Sequence, residues 1–337
     1  RLSDPKLEGR GLGSDGLDRA ADLIAERFEA LGLEPAGDPG HGYQQIVEEV
    51  WDEAWENAGD KAGENAEDKV GENAGDKVGE NAGDKVGENA EESGEKKVAE
   101  RARDQGRQTG SGAPESPVTL RNIVGRLPGR DPALAEQPLI IGAHYDHLGT
   151  GWPDVRADNA GKIHQGADDN ASGVAVMLEL ARALAAGSPP ARPILFVAFS
   201  GEEAGRLGSG HFVERLDGAG TRPFAMLNLD TVGRLEGGPL YALGASSGEQ
   251  WGHILRGAGY VTGVEVKPVA EPLDASDQTS FIAAGIPAVQ LFSGAHPDYH
   301  RPTDTADKID AAGLVQVASV AQEAIDYLTG RSEERRV

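Results

Sequence analysis

Histidines and carboxylates recur in this chain directly after short apolar runs, and the first such place is residues 138–147, Pro-Leu-Ile-Ile-Gly-Ala-His-Tyr-Asp-His. Leu139, Ile140 and Ile141 read as a strand buried on both faces, the kind found inside a parallel sheet. His144 and Asp146 follow where that strand ends, and in open α/β sheets ligands bind at the carboxyl ends of strands. An imidazole and a carboxylate two residues apart there could bind a metal, with His144 as ligand and Asp146 holding its other ring nitrogen. Alone, the pair reads equally well as a core histidine satisfied by an aspartate.

Four later clusters repeat the arrangement. Residues 166–173, Gly-Ala-Asp-Asp-Asn-Ala-Ser-Gly, open a helix, and two adjacent aspartates exceed what an N-cap needs. The apolar run Ile194–Phe199 leads into Ser200-Gly201-Glu202-Glu203. Residues 224–229 end at Asp230, which could also be a turn former. Ala288–Phe292 is followed by Ser-Gly-Ala-His-Pro-Asp-Tyr-His-Arg-Pro, residues 293–302. A single zinc takes about three protein ligands and keeps one position open. His144, Asp169, Glu203, Asp230 and His300 make five, with Glu202 left over, and the surplus points to two metals. One would be held by His144 and Asp230 and the other by His300 and Glu203, with Asp169 bridging. Three carboxylates and one hydroxide cancel the four positive charges of two divalent ions, which makes such a site tolerable in a partly dry cleft.

The elements that must position these residues follow from periodicity. Leu17, Ala21, Ile24, Phe28 and Leu31 predict an amphipathic helix over 15–31, stopped by Gly32. Strands are expected at 43–50, Leu120–Leu127, 139–143, Ile194–Phe199, 224–229, Leu240–Leu243, 264–269 and Ala288–Phe292. Helices are expected at 170–186, 210–216, 247–257, 276–284 and, from Leu314 to Leu328, at the C-terminal end. Residues 149–166 read as a long polar loop. Strands alternating with helices predict an α/β fold, a mainly parallel twisted sheet with helices on both faces.

From Trp51 the composition changes. An eight-residue unit, clearest as Ala74-Gly75-Asp76-Lys77-Val78-Gly79-Glu80-Asn81, recurs about four times. Each full copy carries too little apolar surface to offset the entropy of ordering it. The chain therefore divides into residues 1–50 and 117–330, the two parts of one folded domain, an acidic repeat insertion at 51–116, solvated or weakly helical, and a polar tail at 331–337. With no cysteine among 337 residues, disulfides and thiolate metal sites are excluded, so any metal must use His, Asp and Glu. The net charge of −24 argues against nucleic acid or anionic lipid as a partner. No apolar run approaches the roughly 20 residues of a membrane span. No signal peptide is visible, and a start at Arg1 rather than Met is compatible with a removed leader.

Residues 142–146, 166–173, 200–203, 228–230 and 298–304 together resemble the co-catalytic di-zinc aminopeptidases. That family includes secreted bacterial leucyl aminopeptidases and is related to glutamate carboxypeptidase and glutaminyl cyclase. The resemblance covers roughly residues 1–50 and 117–330; the 51–116 insertion has no counterpart in the family core. It implies a three-layer zinc-exopeptidase fold and two Zn2+ ions on His144, Asp169, Glu203, Asp230 and His300. It also implies Glu202 as general base, Asp146 as the partner of the first histidine, Tyr299 as an oxyanion stabiliser and a cis Asp169–Asn170 peptide. The expected substrates are peptides with a free N-terminus, and the expected location is extracellular or periplasmic. The chain departs from the pattern at Gln278, where many relatives have histidine, which bears on substrate contacts there.

Alternatives remain at single positions. His147 could compete with His144, and Asp168 with Asp169. His41, His164, His211 and His253 read as surface or packing residues and His296 as a loop residue. Arg206, Arg234 and Arg301 could serve a carboxypeptidase by binding a product carboxylate. A glutaminyl cyclase-like enzyme and a catalytically inactive binding module of the same fold are the other readings; the intact ligand set disfavours both.

Overall fold

Three largely apolar strands form the middle of the sheet: β4 (Leu139–His144), β5 (Ile194–Phe199) and β6 (Ala225–Leu229). They belong to a computed structural model that describes residues 1–47, 118–154, 158–219, 221–271 and 275–330. The 51–116 insertion, the end of the strand expected at 43–50 and the 331–337 tail lie outside the described residues. The remaining strands are β1 (Glu34–Pro35), β2 (Gln44–Val47), β3 (Leu120–Leu127), β7 (Leu240–Leu243), β8 (Val266–Val269) and β9 (Ala288–Phe292). The helices are α1 (Asp15–Ala30), α2 (Gly173–Ala186), α3 (Leu207–Ala219), α4 (Trp251–Thr262), α5 (Gln278–Ala283) and α6 (Ala311–Gly330).

The strand order is β1-β3-β5-β4-β6-β9-β7-β8, with β2 also on β3. β5, β4, β6 and β9 run parallel, as do β7 and β8. The pairings of β3 and the β7–β9 pairing are antiparallel. The sheet is thus mixed, with the expected parallel arrangement at its centre. Both faces are covered, and strand alternation shows it. Leu139, Ile141 and Ala143 of β4 join the larger core under α1, α2, α4 and α6, while Ile140 joins the smaller core under α3 and α5. Burial of such side chains contributes about 1.5–3 kcal/mol each, which is why the strands hold the rim in place.

Topology then decides where a ligand can sit. From β4 the chain passes through α2 to β5 on one side, and after α3 it returns to β6 on the other side of β4. The loops leaving β4, β5 and β6 diverge at that point, the usual crevice of a doubly wound sheet.

Several boundaries differ from expectation for local reasons. α4 starts at Trp251 rather than 247, because Ala245–Ser247 forms a separate 3-10 turn closed by extended Gly248. It runs on to Thr262, where Gly263 adopts the left-handed conformation that ends helices. α2 begins at Gly173, not 170, because Ala167–Ser172 forms a wider turn in which Asp169 and Asn170 are non-helical. Among the described residues no helix is long and apolar enough to cross a membrane.

Candidate metal centre

His144 is the last residue of β4, Glu202 and Glu203 follow β5, Asp230 follows β6, and His300 comes from the loop after β9. Asp169 lies in the turn that precedes α2. Its two carboxylate oxygens face opposite imidazoles: Oδ1 is 3.2 Å from His144 Nε2 and Oδ2 is 3.1 Å from His300 Nε2. Beyond His144, Asp230 Oδ1 lies 3.3 Å from the same Nε2. Beyond His300, Glu203 Oε2 lies 3.3 Å from its Nε2. The five residues expected to bind metal therefore form two imidazole–carboxylate pairs joined through Asp169. One donor atom each from His144, Asp169 and Glu203 falls within 4.8 Å of the others.

The turn that presents Asp169 is built for close approach. Gly166 has φ of 55°, and a side chain there would collide with the Asp169 carbonyl and the His147 ring. The Asp169–Asn170 peptide is cis, as the resemblance implies. Asn170 Nδ2 donates to Leu229 O (2.9 Å), and its Oδ1 accepts from Gly173 N–H (3.0 Å). That side chain fastens the start of α2 to the end of β6. Thr231 and His300 both have positive φ, 53° and 52°. A non-glycine residue there costs about 1–2 kcal/mol, and such positions cluster at functional sites.

Asp146 sits beside His144, but its Oδ1 is 3.6 Å from Nδ1, beyond hydrogen-bond range. Nδ1 lies 3.3 Å from the Asp146 carbonyl instead. The Asp146 carboxylate accepts the backbone N–H groups of Glu202 (3.2 Å) and Glu203 (3.3 Å). It therefore orders the glutamate loop as well as bordering the histidine, a use that the His-x-Asp spacing did not reveal.

Buried acids and imidazoles shift one another's titration here. Burial disfavours the His144 cation, but Asp230 and contacts with Asp146 and Asp169 outweigh it and hold its pKa well above the usual range. His300 behaves alike, with Glu203, Asp154 and Asp169 outweighing burial. Burial raises the Glu203 pKa, yet His300 and His147 pull it to about 2. Glu202 moves the other way. Burial lifts its pKa well above the carboxylate range; His144 opposes this, while Glu203, Asp277 and Asp230 reinforce it. Acids crowded around imidazoles, with no thiolate, form a donor set that suits zinc, and the two facing pairs fit it.

The remaining candidates are placed as follows. His147 does not replace His144; it is buried against Glu203, with Nδ1 2.7 Å from Oε1. Asp168 does not replace Asp169; its carboxylate accepts from Gly233 N–H and pairs with His296 Nε2 at 3.0 Å. His296, expected as a plain loop residue, thus holds the bridging turn from behind. Arg234 is engaged by Asp298 (3.3 Å) and Asp304 (3.4 Å). Gln278, expected near substrate, is fully buried under the site. Tyr299 stacks on His300, with ring centroids 3.9 Å apart and 13° between planes.

Sequence reasoning missed Arg10 and Asp304. The Arg10 guanidinium is fully buried and donates to the carbonyls of Tyr145 (2.7 Å), Gln165 (2.8 Å) and Gly166 (2.9 Å). It ties the segment after β4 to the one before Asp169. Asp304 Oδ2 accepts the N–H groups of Asp168 (2.8 Å) and Asp169 (3.1 Å). Both act on backbone atoms far away in sequence, so no spacing signals them.

His164 gives a test outside the proposed ligands. Its Nδ1 lies 3.0 Å from the Lys162 carbonyl, and its buried Nε2 has no hydrogen-bond partner among the described residues. Burial, then repulsion from His147, lowers its pKa to about 4. The unfolded value is near 6.5, so protonation favours the unfolded chain. The stability this residue contributes is present above about pH 6.5 and lost as pH falls toward about 4. The loss is at most about 3 kcal/mol. Urea unfolding of His164→Asn should show a shallower decline across that window than the wild type; equal slopes would contradict the assignment.

The model for peptidase family M28 matches residues 122–325. A probable zinc metalloprotease of Pyrenophora teres f. teres is 40% identical over 118 residues, 35% of this chain and 23% of that protein. Aminopeptidase YwaD of Bacillus subtilis is 31% identical over 220 residues, 61% of this chain and 44% of the relative. The chain thus spans less than half of the length of these curated relatives. The solved structure of BSAP, a zinc aminopeptidase from Bacillus subtilis, superposes with a TM-score of 0.63 at 21% identity, covering 99% of this chain and 94% of the other. At that identity the likeness establishes the fold.

Proposed function

The chain belongs to peptidase family M28, and from that premise we propose that it is an aminopeptidase working with two zinc ions. The observation that carries the reading is the Asp169 carboxylate, with one oxygen toward His144 and the other toward His300. His144 and Asp230 would hold one ion, His300 and Glu203 the other, and Asp169 both. Bound zinc supplies Lewis acidity, polarising the scissile carbonyl and lowering the pKa of an attacking water.

The protein's own groups handle protons and orientation. Glu202 is fixed by its backbone N–H on Asp146. With bound zinc offsetting the burial that raises its pKa, its carboxylate would take a proton from the attacking water and pass it to the leaving amine. Burial, reinforced by Asp169, Glu203 and Asp230, keeps the Tyr299 phenol protonated, so it can donate to the oxyanion of the tetrahedral intermediate. Substrate polarity follows from charge. The rim is rich in carboxylates, and Arg234, one of three arginines that could bind a product carboxylate, is already paired with Asp298 and Asp304. A cationic α-amine suits this cleft better than a C-terminal carboxylate.

Aminoacyl-p-nitroanilides and N-blocked peptides, assayed with and without chelator, test the reading. Turnover is expected for free amino termini only, abolished by chelator and restored by zinc. Cleavage confined to N-blocked peptides would reject it.

A further inference from the structure

Beneath the site, Asp230 ends a chain of three side-chain amides. Gln290 Nε2 lies 3.4 Å from Asp230 Oδ2, and Gln278 Nε2 lies 3.1 Å from Gln290 Oε1. Asn228 Nδ2 lies 3.2 Å from Gln278 Oε1 and 2.9 Å from Ser276 Oγ. Asn228, Gln278 and Ser276 are fully buried, and Gln290 nearly so. The chain spans β6, α5 and β9, joining three elements under the crevice.

Its direction follows from chemistry. An ionised carboxylate only accepts hydrogen bonds, whereas an amide has one accepting and one donating end. Gln290 must therefore turn its NH2 toward Asp230, which leaves its carbonyl toward Gln278. Gln278 must then donate to Gln290 and accept from Asn228. On its other side, Asp230 Oδ1 accepts from Thr231 Oγ1 at 3.1 Å and faces His144. Both oxygens of the carboxylate are thus assigned, and its rotation is set. Neutral histidine also donates from one ring nitrogen and accepts at the other. It can keep the same direction, as an apolar side chain cannot.

We propose that Gln278 is a positioning residue: acting through Gln290, it sets the rotation of the Asp230 carboxylate and thereby the zinc affinity of the His144–Asp230 half of the site. The inference rests on the two-zinc reading. An outer partner of a metal ligand is typically worth 10- to 100-fold in affinity.

The test is zinc titration of the metal-free protein against a chromophoric chelator, with circular dichroism to verify folding. The wild type should bind two zinc ions. Gln278→Leu removes both the donor to Gln290 and the acceptor for Asn228, so nothing holds the Gln290 NH2 toward Asp230. One of the two affinities should then fall about 10- to 100-fold while the other stays. Gln290→Leu, which removes the donor, should do the same, and Gln278→His should restore affinity to within about threefold of the wild type. If Gln278→Leu does not fold, Gln290→Leu and Gln278→His decide the matter. Unchanged affinities in Gln290→Leu, equal loss at both sites, or failure of histidine to rescue would overturn the proposal. A wild type that binds fewer than two ions would instead fail the reading beneath it.

Discussion

Glu202→Gln is expected to lower kcat on an aminoacyl-p-nitroanilide by about 10²–10⁴-fold, the usual worth of a general base, while the protein retains both zinc ions. The amide matches the carboxylate in shape but cannot take up a proton at neutral pH. The loop should not move, because Asp146 holds it through the backbone N–H groups of residues 202 and 203. Glu203, whose Oε2 faces His300, is untouched. The substitution therefore separates proton transfer from metal binding. Steady-state kinetics together with zinc content per chain reads both. A kcat within threefold of the wild type would remove Glu202 from the base role, and loss of zinc would make it a ligand instead.

Asp169→Asn should have the largest effect on metal content. The wild-type side chain offers an accepting oxygen to each half of the site. Asparagine offers one oxygen and one NH2 group, so one half must face a donor. Zinc content is expected to fall from two ions to one or none, and kcat/KM by at least about 10³-fold, the cost of losing a ligand and the geometry it sets. The fold should survive, because the backbone at this position is held by other groups. Asp304 accepts the residue 169 N–H, and Asn170 anchors the turn to Leu229 and Gly173. Elemental analysis with circular dichroism distinguishes a folded, zinc-poor variant from an unfolded one. Two zinc ions in Asp169→Asn would show that the carboxylate does not serve both halves.

The parts of this site that the sequence exposes are those attached to strands. His144, Glu203 and Asp230 each follow a largely apolar run, and hydrophobicity alone places such runs in the sheet interior. Their polar successors then have to lie at its rim. Residues that act through backbone atoms leave no such trace. Arg10, between two glycines, reads as part of a polar loop, yet it is buried and holds carbonyls 135 to 156 positions away. Asp304 looks like a loop acid but secures the bridging turn. Gln290 lies in an apolar strand as an isolated polar residue, and only the fold shows that it reaches Asp230. The helix boundaries that shifted, at Gly173 and Trp251, did so where turn geometry overrode side-chain periodicity.

The central claim is that one carboxylate joins two imidazole–carboxylate pairs into a housing for two ions. Anomalous diffraction at the zinc absorption edge, on crystals of zinc-loaded protein, tests it most directly. Two peaks are expected, one beside His144 and Asp230 and one beside His300 and Glu203, both in contact with Asp169. A single peak, or a pair of which one lies out of reach of Asp169, would contradict it.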